Sequence, residues 1–124
     1  MPVFGLPKER ILRGYKAFSD IIAKGNSLTA GSIRLFYSVD AASSPTRAGF
    51  SVSRSIRKAA VRNRVKRCLR EAVRHNEPLL PSGKYTLVFM YRGEKADRAS
   101  RVICKDLEKD VVAALNILRE KIRT

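Results

Sequence analysis

The sequence predicts an α+β fold, a single-domain α/β sandwich with its elements in the order α-β-β-α-β-α. Three observations carry that prediction. Apolar residues recur at i, i+3 and i+4 in three stretches, while three others are short runs rich in β-branched and aromatic residues. The two kinds of segment are interleaved along the chain, as in helices packed on a sheet. At 124 residues the chain has the size of one domain, 1–124, able to bury about two thirds of the surface its unfolded form exposes.

In GYKAFSDIIAKG, Phe18, Ile21 and Ile22 make one helical face, and Gly25 can take the left-handed conformation that closes a helix. SIRLFYSV (32–39) and TRAGFSVS (46–53) read as strands; the turn-like DAASSP between them makes them a hairpin. Along the first strand Ile33, Leu35, Tyr37 and Val39 alternate with Arg34, Phe36 and Ser38. Aromatics occupy both faces, so alternation alone leaves the buried face open. The next helix spans roughly 57–75 and stops before Pro78, Pro81 and Gly83. KYTLVFMY (84–91) is a near-continuous apolar run, expected of a central strand. After the polar loop RGEKAD, Ile103, Leu107, Val111, Ala114, Leu118 and Ile122 form one stripe, with Cys104 and Leu115 beside it. That last helix is built to cover a sheet. Its charges nearly cancel, which marks it as scaffold.

Charge is the strongest global signal. The chain holds 26 Lys and Arg against 11 Asp and Glu, a net charge of +15, with a pI near 10.6. The segment Arg47–Arg74 has Glu71 as its single acid, so the excess is concentrated there and implies a polyanionic partner. A membrane surface would favour a basic helix with Trp or large apolar residues on its other face, and the chain has no Trp. No apolar run approaches the roughly 18 residues of a span, and MPVFGLPKERILRGYK has no signal-peptide h-region, so a cytoplasmic location is expected. Cys68 and Cys104 lack metal-ligand spacing and read as reduced core thiols. His75, the only histidine, reads as a helix C-terminal residue favoured by the dipole.

On the basic helix, Val61, Val65, Cys68, Leu69 and Ala72 share an arc of about 100° that faces the core. Arg62, Lys66, Arg70 and Arg74 form one i, i+4 row flanked by Asn63 and Arg67, a strip about 20 Å long. Like charges at that spacing repel by a few tenths of a kcal/mol per pair, roughly, and only Arg67 has an acid, Glu71, one turn on. Phosphates remove the repulsion and release counterions, so nucleic acid accounts for both the sign and the row. Arginine's planar fork binds phosphate bidentately or stacks on a base.

GFSVSRSIRKAAVRNRVKRCLREAVR resembles the signature region of the bacterial ribonuclease P protein component: a strand ending in F-S-V-S, a basic turn, then A-A-V-R-N-R-x-K-R-x-L-R-E. LPKERILRGYKAFSDIIAKG is similar to that family's opening helix, and KYTLVFMYR with the helix after it to its last strand and helix. The resemblance implies a left-handed β-α-β crossover and a small basic subunit of a ribonucleoprotein endoribonuclease that removes the 5′ leader of precursor tRNA. It implies that the chemistry resides in a catalytic RNA and that Mg2+ is held mainly by that RNA. The chain itself shows no histidine pair, carboxylate cluster or activated nucleophile.

Carried over by that resemblance, Arg54, Lys58, Arg62, Asn63, Arg64, Lys66, Arg67, Arg70 and Arg74 would bind the catalytic RNA. Phe18, Tyr37 and Lys66 would line the cleft for the single-stranded leader, where base stacking is sequence-tolerant and worth about 1–3 kcal/mol per base. Ile22 stands where many members have a second aromatic. The alternative is a ribosomal or other structural RNA-binding protein with no part in cleavage. A DNA-binding helix-turn-helix needs a second helix joined by a short turn, whereas here strands flank the basic helix.

Overall fold

A computed structural model describes residues 15–39, 46–53, 58–81, 85–92 and 104–123, the side chains of 15–18, 24 and 123 excepted. The elements are α1 (Tyr15–Lys24), β1 (Asn26–Ala30), β2 (Ile33–Val39), β3 (Arg47–Val52), α2 (Ala59–His75), a 3-10 turn (Glu77–Leu79), β4 (Tyr85–Tyr91) and α3 (Cys104–Arg123). The mixed α+β order agrees with the expectation, with one strand added. The four strands form a sheet in the order β1-β2-β4-β3, in which β3 and β4 are parallel and the other pairs antiparallel. The helix α2 makes the crossover between β3 and β4.

The expected hairpin of residues 32–39 with 46–53 does not form: β2 and β3 are separated by β4. Instead β2 pairs with β1, a strand not expected from the sequence. NSLTA is short and weakly apolar, yet Leu28 and Ala30 are buried while Ser27 and Thr29 are exposed, the period of a half-buried strand. Its two-residue turn has Gly31 at φ 57° as the first central residue, the type II′ requirement, and Ala30 faces Ile33 across it. Asp110 of α3 secures the turn: Ser32 donates its N–H (3.1 Å) and its hydroxyl (2.8 Å) to one carboxylate oxygen. Gly25 departs from expectation too. Its φ is not positive; glycine is needed because an added Cβ would lie 2.6 Å from the Ile21 carbonyl oxygen.

Two layers cover the sheet. One face packs Leu28, Ile33, Leu35, Ala48, Phe50, Leu87, Phe89 and Tyr91 against Val65, Leu69, Ala72 and Val73 of α2 and Leu107, Val111, Leu115 and Leu118 of α3. On the other face, Phe36, Val88 and Met90 meet Ile21 of α1. This explains why β4 reads as an unbroken apolar run: Leu87, Val88 and Phe89 are all buried, on opposite faces in turn. The same two-sided burial resolves the ambiguous β2, where adjacent Leu35 and Phe36 are both inside. Burial and the nearby Asp110 carboxylate raise the Tyr91 hydroxyl above its ordinary value.

Cys68 and Cys104 are bonded to each other as a disulfide, with Cα atoms 5.0 Å apart, which corrects their reading as separate reduced thiols. The spacing of 36 residues gave no hint of it. Only packing α3 against α2 brings the two together. The DAASSP turn, Arg57, the RGEKAD loop after Arg92 and Ile103 lie outside the described residues.

Candidate nucleic-acid interface

The helix α2 is positioned by its buried side, Val65, Cys68, Leu69, Ala72 and Val73, with Val61 partly covered. Val73 widens the core-facing arc beyond the one expected. Lys58 precedes the helix in extended conformation (φ −73°, ψ 120°), and its carbonyl accepts the Arg62 N–H at 3.0 Å. No acidic residue occupies the first turn, so the helix supplies no carboxylate of its own to the positive end of its dipole.

Two contacts fix how the helix is rotated. The Cys68 flank faces α3 through the disulfide, and the opposite flank faces β3, where the Arg70 guanidinium carbon lies 5.9 Å from the centroid of the Phe50 ring. Phe50 in turn stacks on Phe89, with centroids 6.0 Å apart and ring planes 18° from parallel. Arg70 is therefore laid along an aromatic base while its exposed end faces solvent. Lys66 and Arg62, one and two turns earlier on the same row, are half-buried; Asn63 and Arg67 beside them are exposed. Arg64 is exposed on the α3-facing flank, the side that also carries Glu71.

The fourth member of the expected row is engaged otherwise. Arg74 donates Nη2 (2.6 Å) and Nε (3.2 Å) to Glu71 Oε2, and only 16% of its side chain is exposed. Arg67, expected to be the partner of Glu71, is not the one this carboxylate holds. The hydrogen bond and charge of Arg74 keep the Glu71 carboxyl below its ordinary range against a weaker opposing effect of burial, with His75 and Arg70 adding to the depression. His75 Nε2 is 3.7 Å from the same carboxylate oxygen, at the helix end as expected. Among the described residues, the part of the row without an ion-pair partner is thus Arg62, Lys66 and Arg70, with Asn63 and Arg67 beside it.

The expected leader-binding residues are not all gathered on one face. Tyr37 packs against the core on the α2/α3 side of the sheet, whereas α1 crosses the opposite face over Phe36 and Val88. Lys66 lies on the β3-side flank of α2. Phe18 is in α1, but its side chain, like Arg54, lies outside the described residues. Ile22 is an exposed apolar residue of α1. Among the described residues no three or more His, Cys, Asp or Glu are placed to hold a metal ion together, and no helix is long and apolar enough to cross a membrane.

The sequence pattern of ribonuclease P matches residues 6–115, from the approach to α1 to well inside α3. The chain belongs to the ribonuclease P protein family. It is 35% identical over 105 residues to the ribonuclease P protein component of Pelotomaculum thermopropionicum, covering 85% of this chain and 88% of that one. To that of Clostridium botulinum it is 32% identical over 113 residues, covering 91% and 95%. Among solved structures, the ribonuclease P protein of Thermotoga maritima superposes with a TM-score of 0.72 at 27% identity, over 84% of this chain and 93% of that one. The ribonuclease P protein of Staphylococcus aureus shares the fold with the same TM-score at 19% identity, over 88% and 94%. In this ribonuclease P family member, Phe50 is the part of the candidate site that charge alone does not reveal. Its signal in the sequence is the Ala48, Phe50, Val52 alternation that turns it toward α2.

Proposed function

We infer that this chain is the protein subunit of a ribonuclease P ribonucleoprotein and assists a catalytic RNA in removing the 5′ leader from precursor tRNA. The observation that carries the reading is the strip of Arg62, Lys66 and Arg70, held at the β3 edge by the Arg70–Phe50 contact and facing solvent with Asn63 and Arg67. Phosphates of a folded RNA meet that row without displacing a partner among the described residues, since the one acid of the helix is taken by Arg74. Lys58 and Arg64 extend the basic surface at the start of the helix and on its second flank. On this reading leader binding draws on Phe18 of α1 and on Lys66 of α2, helices that lie on different faces of the sheet, while the partly buried Tyr37 packs against the core.

The hydrolysis and its magnesium ions belong to the RNA. Membership of the ribonuclease P protein family supports that division of labour. The test is reconstitution with a ribonuclease P RNA and precursor tRNA at low magnesium. The protein should lower the magnesium needed for cleavage and tighten binding of leader-bearing substrate, and should cut nothing alone. Cleavage by protein free of RNA, or binding to RNA with no effect on cleavage, as for a ribosomal protein, would overturn it.

A further inference from the structure

The Cys68–Cys104 bond joins the middle of the basic helix α2 to the first residue of α3. Its two ends differ in access. Cys68 is buried at 3% exposure, while Cys104 is an exposed residue. The helices are also held together without it, by Val65, Leu69, Ala72 and Val73 against Leu107, Val111 and Leu115. A polar tie adds to this seam: Asn76 Nδ2 donates to the Ala72 carbonyl (2.7 Å) and to Glu108 Oε2 (2.9 Å). Opening the bond therefore leaves the layer assembled, which is the condition for a bond that can open and close in the folded protein.

We propose that Cys68 and Cys104 form a reversible redox clasp, exchanged with glutathione-type thiols and disulfides, that sets how firmly the RNA-facing helix is held. This rests on the RNA-binding reading of α2. An external thiolate attacks the sulfur of Cys104, the exposed residue of the pair; the S–S bond breaks and its electron pair leaves on Cys68, which takes up a proton. A second thiolate attacks the external sulfur of the mixed disulfide, releasing Cys104 as a thiol and an oxidised small-molecule disulfide. Two external thiols are oxidised and one protein disulfide is reduced; closure is the reverse. The groups within a turn of the two cysteines along their helices are of both signs, Arg64, Lys66, Arg67, Arg70 and Lys105 against Glu71, Asp106 and Glu108, a basic excess on the α2 side that suits an anionic tripeptide thiol. With the clasp closed, the start of α3 is tied to the middle of α2, so RNA binding has less motion left to suppress.

The test uses the full chain equilibrated in mixtures of reduced and oxidised glutathione, with thiols counted by mass after alkylation. The bond should open and close across these mixtures. The closed form should melt about 10 °C higher than the open one, as expected for a loop of this length. It should also bind a ribonuclease P RNA about fivefold more tightly. Cys104→Ser, at an exposed position, should match the open form under all conditions. A bond that stays closed in millimolar reduced glutathione, or never closes in the oxidised form, overturns the proposal. So does equal RNA affinity of the two forms, or redox-dependent binding that persists in Cys104→Ser. If neither form binds RNA, the proposed function fails with the RNA link; the thiol count and the melting shift, read without RNA, tell that outcome apart from failure of the clasp.

Discussion

Glu71 Oε2 lies 2.6 Å from Arg74 Nη2, so the only acid of the basic helix is committed to the last arginine of the row and the preceding three face solvent without it. Glu71→Gln should therefore free Arg74 for phosphate. RNA affinity should rise, and the slope of log K against log salt should steepen by about one. A salt titration of both proteins checks this; an unchanged slope would show that Arg74 cannot reach the RNA even when released.

The same pair gives a pH dependence. Because the Glu71 carboxyl is held below its ordinary value in the folded state, its contribution to stability is complete above the ordinary carboxylate range and is lost as pH falls through the lowered value. Its carboxylate is 43% exposed, so the effect is small. Melting curves taken from neutral pH into acid should show wild type and Glu71→Gln converging at the acid end. A gap of constant size at every pH would mean the ion pair is not its cause.

Arg62→Ala with Arg70→Ala removes two members of the strip. RNA binding should weaken and its salt slope should flatten by about two, with the circular dichroism spectrum unchanged. The loss of Arg70 from the Phe50 ring should cost only about 0.5–1 kcal/mol of stability. A collapse of the melting temperature would instead make these arginines part of the scaffold.

Tyr37→Ala separates two roles for one aromatic. Since Tyr37 packs against the α2/α3 core, truncation should lower stability by roughly 1–3 kcal/mol, less than for a fully buried aromatic. Affinity for leader-bearing substrate should stay near that of wild type when measured well below the melting temperature. Loss of leader affinity with stability intact would place Tyr37 in the cleft after all.

Gly31→Ala should destabilise the fold by about 1–2 kcal/mol, because alanine resists φ 57° and its Cβ would strike the Asp110 carboxylate. Asp110→Ala removes that obstacle together with both Ser32 hydrogen bonds. The double variant should then lose less than the sum of the two singles. Urea unfolding of the four proteins measures the difference, and strict additivity would argue against the contact.

Local pattern carried much of what was legible beforehand. The three helices, β4 as a central strand and the basic row of α2 all follow from residues a few positions apart, where periodicity reports directly on a shared face. Family resemblance in the stretch from Gly49 to Arg74 narrowed the polyanion further, and the match over residues 6–115 agrees with it. The misreadings were non-local in origin. Whether residues 32–39 pair with 46–53 or with a weakly apolar NSLTA depends on which strand β4 displaces, and no local pattern records that competition.

The sequence by itself determined that a single helix would carry an arginine-rich row above an apolar seam, since charge and hydropathy at fixed spacing do not depend on what lies opposite. Only the tertiary structure decided the partners of that row. Glu71 could reach either Arg67 or Arg74 along the same helix, and the outcome depends on side-chain direction in the folded protein. Phe50 lies under Arg70, and Cys68 reaches Cys104, because β3 and α3 pack on opposite flanks of α2. Contacts between elements distant in sequence are set by how the layers stack, and that information is spread over the whole core.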